Sequence, residues 1–224
     1  MKLFSYVLRF DDGAAPNPYG EKCTLAICKP AIRRKVEKGD WVVGTGSANS
    51  PIGNISKHVV YAMKVSFVMT LKEYDTYCKS KLKSKIPNWN GPFEMKVGDC
   101  IYDYFNGEEP KIRGQIHGEQ NRDRDLGGKN VLLAEEFYYF GDNPISIPAY
   151  LHKIIKTNQG HKKIEAEDLI NDFIQWISKM PIGISGTPQM KEYIMSMKVG
   201  ADCSSKCSED FIAIDSSYEE ETIC

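Results

Sequence analysis

No run of the 224-residue chain approaches the roughly 20 consecutive apolar residues that a bilayer crossing requires. The first apolar stretch, Leu3 to Leu8, gives way at once to Arg9, Asp11 and Asp12, too short for the core of a secretory signal. The chain ends on Cys224, with Glu221 where a prenylated cysteine would stand, so no lipid anchor is expected and the reading is a cytoplasmic protein with no membrane partner. A disulfide framework is also missing. Seven cysteines (23, 28, 78, 100, 203, 207 and 224) make an odd count without regular spacing, which predicts free thiols. Cys23-x4-Cys28 and Cys203-x3-Cys207 both lack the spacing of a zinc site, so neither a metal nor a cofactor is expected. There is no G-x-S-x-G and no H-E-x-x-H.

What the chain does have is the composition of a folded domain: 42% hydrophobic and 26% charged residues, 18 glycines and 11 prolines. At this length roughly 70% of the unfolded surface is buried on folding, enough for one sizeable core. The 29 basic and 30 acidic residues balance, but unevenly along the chain. Residues 1–100 carry 16 basic and 9 acidic side chains, whereas Ser208 to Cys224 holds six acidic residues and no basic one. A basic half can meet phosphates, and an acidic tail can shield that surface.

Period-two and turn signals predict strands over Leu3 to Phe10, Cys23 to Cys28, Trp41 to Val43, His58 to Val68, Ile101 to Phe105 and Val131 to Phe140. Thr70-Leu71-Lys72-Glu73 has the form of a capping box and predicts a helix carrying Leu71, Tyr74, Cys78 and Leu82 on one face. Lys79, Lys81, Lys83 and Lys85 crowd its end, where cations suit the helix dipole or a phosphate. Pro148 predicts a short helix to Lys156, and Ala166 to Ile177 a longer amphipathic one. The hydrophilic segment His117 to Asn130 has no periodicity and reads as a long loop. The expected architecture is one α+β domain with a helical C-terminal layer over residues 1–188, followed by a weakly structured acidic tail at 189–224.

Gly44-Thr45-Gly46-Ser47 follows a strand as a phosphate loop does, yet Asn49 replaces a third glycine and no Gly-Lys-Ser/Thr follows. Arg33-Arg34, with Lys29 and Arg9, are candidate phosphate contacts. Trp41, Tyr102 and Tyr139 are candidates for base stacking. Asn17, Thr45 and Ser47 complete the ligand-binding set. His117, followed by Glu119, Asp123 and Asp125, places a general base near orienting carboxylates. Asp40 and Asp99 each follow a glycine, which turn formation explains, though Asp99 is also a candidate proton-transfer partner for His117.

Several of these segments together carry a resemblance. They are Tyr6-Val7-Leu8-Arg9, Ala15-Pro16-Asn17-Pro18-Tyr19, Cys23-Thr24-Leu25-Ala26, Cys28-Lys29-Pro30 with Ile32-Arg33-Arg34, and Gly39-Asp40-Trp41 through Ser47. Val60 to Val65, Leu71 to Tyr74, Gly98-Asp99 with Ile101-Tyr102, Phe137 to Gly141, Gly160-His161, and Gly186 with Pro188 follow in order. Over residues 4–188 the chain resembles the second nucleotide-modification-associated domain family, departing from it at Cys100 and around His117. The resemblance implies association with bacterial and phage systems that handle modified bases. A weaker likeness of element order implies a PUA-like mixed β-barrel body.

Three functions follow as expectations. The first is a module that recognises a nucleobase, nucleotide or modified-base nucleic acid. The second is a base- or nucleotide-modifying transferase or hydrolase using Asp99 and His117. The third is a protein-binding adaptor that depends on the acidic tail.

Overall fold

A computed structural model describes residues 1–105, 107, 109–114, 116–197 and 220–223. In chain order its elements are β1 (Leu3–Val7), β2 (Cys23–Leu25), α1 (Pro30–Lys35), β3 (Trp41–Thr45), β4 (His58–Lys64), β5 (Phe67–Thr70) and α2 (Leu71–Lys81). There follow α3 (Phe93–Lys96), β6 (Tyr102–Asp103), β7 (Lys111–Ile112), α4 (Arg122–Gly127), β8 (Asn130–Ala134), β9 (Glu136–Tyr139) and β10 (Ile145–Ser146). The chain closes with β11 (His161–Ile164), α5 (Glu167–Ile177), β12 (Gly183–Ile184), α6 (Lys191–Ser196) and β13 (Glu220–Ile223).

The larger, mixed sheet runs β12-β9-β4-β3-β1-β11-β13, with β10 also on β4; the smaller runs β2-β8-β5. Residue alternation sorts the side chains between them. Leu3, Trp41, Val43, Tyr138 and Phe140 point toward α5 and meet its Ile170, Phe173 and Ile177. Phe4, Tyr6, Val42, Met63 and Tyr139 point the other way, onto Cys23, Leu25, Leu132 and Ala134 of the small sheet. The far face of that sheet, with Val131 and Leu133, packs on Leu71 and Tyr74 of α2. The result is a layered α+β body, and no closed barrel forms among the described residues.

Sandwiching the large sheet changes what alternation means. The expectation for residues 58–68 was one buried face, but Val59 through Met63 are all buried, since both faces of β4 are covered. That predicted strand also divides. At Val65 and Ser66 the chain leaves the large sheet, and Ser66 N donates to Leu133 O at 2.8 Å as β5 joins the small one. The predicted strand from Val131 divides at the same corner, where Glu135 N donates to Ser66 Oγ at 3.1 Å between β8 and β9. The stretch expected as a strand over residues 101–105 is reduced to the two residues of β6.

The capping box at Thr70 forms as expected. Glu73 N donates to Thr70 Oγ1 at 3.2 Å, and Thr70 N donates to Glu73 Oε2 at 2.8 Å. The lysines at the end of α2 and beyond it part company: Lys79 bridges Asp75 and Asp103 at 2.7 and 2.8 Å, while Lys85 is fully buried. Beyond α6, β13 pairs in parallel with β11. The acidic residues Glu209, Asp210, Asp215 and Glu219, together with Cys203, Cys207 and Cys224, lie outside the described residues; Cys23, Cys28, Cys78 and Cys100 are free thiols. No helix among the described residues is long and apolar enough to cross a membrane.

A candidate cysteine-centred active site

The segment that leaves β2 ends in two consecutive left-handed residues, Cys28 at φ 57° and Lys29 at φ 41°, before Pro30 opens α1. Side chains with a Cβ pay for that conformation, about 1–2 kcal/mol each, so other interactions must hold it. The first is Arg33, which α1 turns back beneath its own entry. Its guanidinium is fully buried and donates from Nε to Cys28 O at 2.8 Å, from Nη1 to Ala26 O at 2.5 Å and Asn130 O at 3.0 Å, and from Nη2 to Asp125 O. The second is Asp125, whose Oδ1 accepts from Cys28 N at 2.8 Å.

Asp125 reaches this position because the segment expected to be a loop is a 3-10 turn over Glu119–Asn121 followed by α4. Asn121 and Asp125, four residues apart, share its inward face and are buried, while Glu119 and Asp123 point to solvent. The carboxylate then organises His117: Oδ2 lies 2.5 Å from His117 Nδ1 and accepts from Tyr102 Oη at 3.1 Å. On the other side of the ring, His117 Nε2 is 3.5 Å from Cys28 Sγ.

Thiol, imidazole and carboxylate are therefore connected in sequence, and their charges depend on one another. Burial pushes the Cys28 thiol up, but the charge and hydrogen bond of His117 outweigh it, and the net shift is downward. Burial pulls His117 down, and Cys28 and Asp125 more than reverse this, holding the imidazole well above its usual range. Asp125 is likewise carried below its ordinary value by His117, against burial. Each shift favours the charged form, thiolate, imidazolium and carboxylate, and so sets a nucleophile with a lowered pKa beside an acid. The three donor atoms lie within 4.8 Å of one another, a spacing a metal ion could use. Yet both ring nitrogens face partners of their own, and one ion could take only one of them.

Cys28 is half-buried and opens onto a cavity of about 450 Å³. Among the expected site residues, Arg9, Lys29, Ser47 and His117 line it, joined by Phe10, Arg124 and His161. The Cys28 amide is bound to Asp125, so an oxyanion formed at the thiol would be met by cationic side chains of this cavity instead.

The remaining expected residues stand elsewhere. Trp41 is wholly buried in the core, with Tyr138 and Phe173 as ring neighbours at 6.3 and 5.6 Å. Tyr139 donates to both oxygens of the buried Asp11, at 2.8 and 2.7 Å, and Thr45 Oγ1 donates to Tyr6 O at 3.1 Å. Arg34 reaches Gly127 O on the surface. Arg33 and Tyr102 serve the triad from behind, as above. Asp99 is not beside His117: it accepts from Thr24 Oγ1 at 2.6 Å and Tyr74 Oη at 2.7 Å, in a buried network with Lys85. Lys85 Nζ in turn donates to both Asn17 oxygens, at 2.8 and 2.7 Å, and to Lys22 O. The glycines of Gly44-Thr45-Gly46 answer to packing. A Cβ on Gly44 would lie 2.4 Å from the Tyr61 ring, and one on Gly46 2.3 Å from Ile55 O.

Sequence reasoning singled out His117 and noted Asp125 among its neighbours, but it missed Cys28 as a nucleophile. The available signal was Cys28-Lys29-Pro30, a thiol two residues before a helix-opening proline.

The family model for nucleotide modification associated domain 2 matches residues 1–196. The chain belongs to that family. The match spans the small sheet, the large sheet apart from β13, and every residue of the triad, and the family's description associates it with nucleotide modification. No curated protein and no solved structure matches the chain.

Proposed function

We propose that this protein is an enzyme, a hydrolase or transferase, that acts on a nucleotide or its base through a covalent adduct at Cys28. The observation that carries this reading is the connected set Cys28, His117 and Asp125 opening onto one cavity. The family's association with nucleotide modification supports a nucleotide or its base as the substrate. Cys28 and His117 are the catalytic residues, and Asp125 is a positioning residue that acts through His117.

In the first half-reaction the Cys28 thiolate forms a carbon–sulfur bond at an electrophilic carbon of the substrate. His117 Nε2–H protonates the departing group as its bond to that carbon breaks. Neutral His117 then takes a proton from water, or from an acceptor hydroxyl or amine. The oxygen or nitrogen of that acceptor replaces sulfur, and thiolate and imidazolium are restored. Among the described residues Phe10 is the one Phe, Tyr or Trp side chain lining the cavity, so it is the platform for a base, a contact worth about 1–3 kcal/mol.

Recognition of a nucleobase is part of this reading, with chemistry added to it. A module that only recognised its ligand would have no use for a strained thiol held beside a raised imidazole. The test is a panel of deoxynucleotides, nucleosides and modified-base oligonucleotides, followed by turnover and by intact-protein mass. At least one should be converted, with an adduct on Cys28 and no change on adding a chelator. Conversion that persists in Cys28→Ala would overturn the reading.

A further inference from the structure

The cavity that exposes Cys28 has on its wall a second imidazole that the fold leaves unsatisfied. His161 opens β11, opposite Tyr6 of β1, with its ring 5.9 Å from that of Phe4. It is only 3% exposed, and its Nε2 has no hydrogen-bond partner among the described residues. A buried polar atom left in that state keeps its desolvation cost unrelieved, so a partner from a ligand is the natural complement.

The charges around it indicate which ligand. Arg9, Lys29 and Arg124 line the cavity against a single acidic side chain, Asp12, whose Oδ1 already accepts from Ala14 N at 2.8 Å. Burial, followed by the charges of Lys35, Lys156 and Lys29, holds His161 down at about 4. The imidazole is therefore neutral at pH 7 and faces three lysines, on a cavity wall where Arg9, Lys29, Arg124 and the His117 imidazolium outnumber Asp12 and the Cys28 thiolate. An anion would gain from these cations where a neutral base would not.

We infer that the substrate carries a phosphate group and that His161, Arg9, Lys29 and Arg124 receive it, so the substrate is a nucleotide and not a nucleoside or free base. The loop Thr157 to Gly160 leads into His161 and also lines the cavity, with Gly160 at φ 93° making the turn. The phosphate is that of a free mononucleotide. A cavity of about 450 Å³ falls in the range of small-molecule sites, roughly 300–1,000 Å³, and holds one nucleotide. This inference rests on the Cys28 reading only for what the rest of the nucleotide then meets.

The experiment is calorimetric titration of Cys28→Ser protein, which binds without turning over. The ligands are the four deoxynucleoside 5′-monophosphates, the matched nucleosides, inorganic phosphate and a single-stranded oligonucleotide. At least one monophosphate should bind about tenfold or more tightly than its nucleoside. That preference should be lost in both His161→Ala and Arg9→Ala. In a parallel proton NMR titration, a bound monophosphate should raise the His161 imidazole pKa. Should His161→Ala fail to fold, His161→Gln, checked by its urea midpoint, takes its place.

Equal affinities for monophosphate and nucleoside would overturn the inference, as would a preference that survives both substitutions. Binding of the oligonucleotide without the monophosphates would overturn the assignment to a free nucleotide. If the phosphate preference held while Cys28 behaved as an ordinary thiol, the catalytic reading would fail and the subsite would stand.

Discussion

Asp125 performs two tasks with one carboxylate: Oδ1 fixes the Cys28 backbone and Oδ2 fixes the His117 ring. Asp125→Asn keeps an acceptor in place but removes the charge that supports the imidazolium. The His117 imidazole pKa should then fall, read from its proton NMR titration. An unchanged profile would mean that the carboxylate has no electrostatic hold on His117. Arg33 is a second residue-scale case. As one of a surface pair it reads as a phosphate contact, but its guanidinium ties the Ala26–Cys28 segment to α4 and β8. Gly128 is the space it needs, since a Cβ there would fall 2.0 Å from Nη2. Arg33→Met leaves four buried carbonyls without that donor and should cost roughly 3–5 kcal/mol in urea unfolding. An unshifted midpoint would refute the clamp. Nothing in the local sequence separates Arg33 from Arg34; what separates them is that α1 turns one inward and the other out.

At the scale of elements, the legible parts were those whose inward faces are apolar. α5 was readable from Ile170, Phe173 and Ile177, and α2 from its capping box together with Leu71, Tyr74 and Cys78. Thr70→Ala should accordingly lower stability by roughly 0.5–2 kcal/mol, measured by denaturant titration, and Thr70→Asp should restore most of it. A helix equally stable with alanine there would deny the cap its role. α4 and the 3-10 turn before it were not readable, because their inward positions Asn121 and Asp125 are polar and leave no hydrophobic period to detect. Two of the three candidate triad residues, His117 and Asp125, sit in or just before that segment. The division of two predicted strands at Ser66 and Glu135 escaped for another reason: apolar patterning continues through the corner, and only the pairing partner changes.

At the scale of the whole molecule, two of its buried titratable groups, Asp11 and His161, have opposite effects on stability. Asp11, buried under Tyr139, has its carboxyl pushed from 3.8 up to about 7. Between those values the native state binds more protons than the unfolded chain, so this group makes stability fall as pH rises from about 4 to 7. His161, carried from 6.5 down to about 4, binds fewer protons in the native state over that window, so its contribution rises with pH. The two oppose each other in the wild type. In Asp11→Asn the falling term disappears, and the urea midpoint should climb more steeply from pH 4.5 to 6.5 than in the wild type. A slope unchanged by the substitution would place the Asp11 proton elsewhere. Both groups belong to the body that positions the cavity, and neither could be ranked from sequence, since burial of Asp11 and His161 depends on which sheet face covers them.

The central claim is that the fold holds Cys28 as a thiolate against His117. The most direct test is the rate of Cys28 alkylation as a function of pH, resolved by peptide mass spectrometry, in the wild type and in His117→Ala. The wild-type thiol should titrate below the ordinary value of about 8.5, and loss of the imidazole should move it above that value, because burial and the Asp125 charge are then opposed only by Arg124. A Cys28 that titrates at or above the ordinary value in the wild type, or does not respond to loss of His117, would contradict the account.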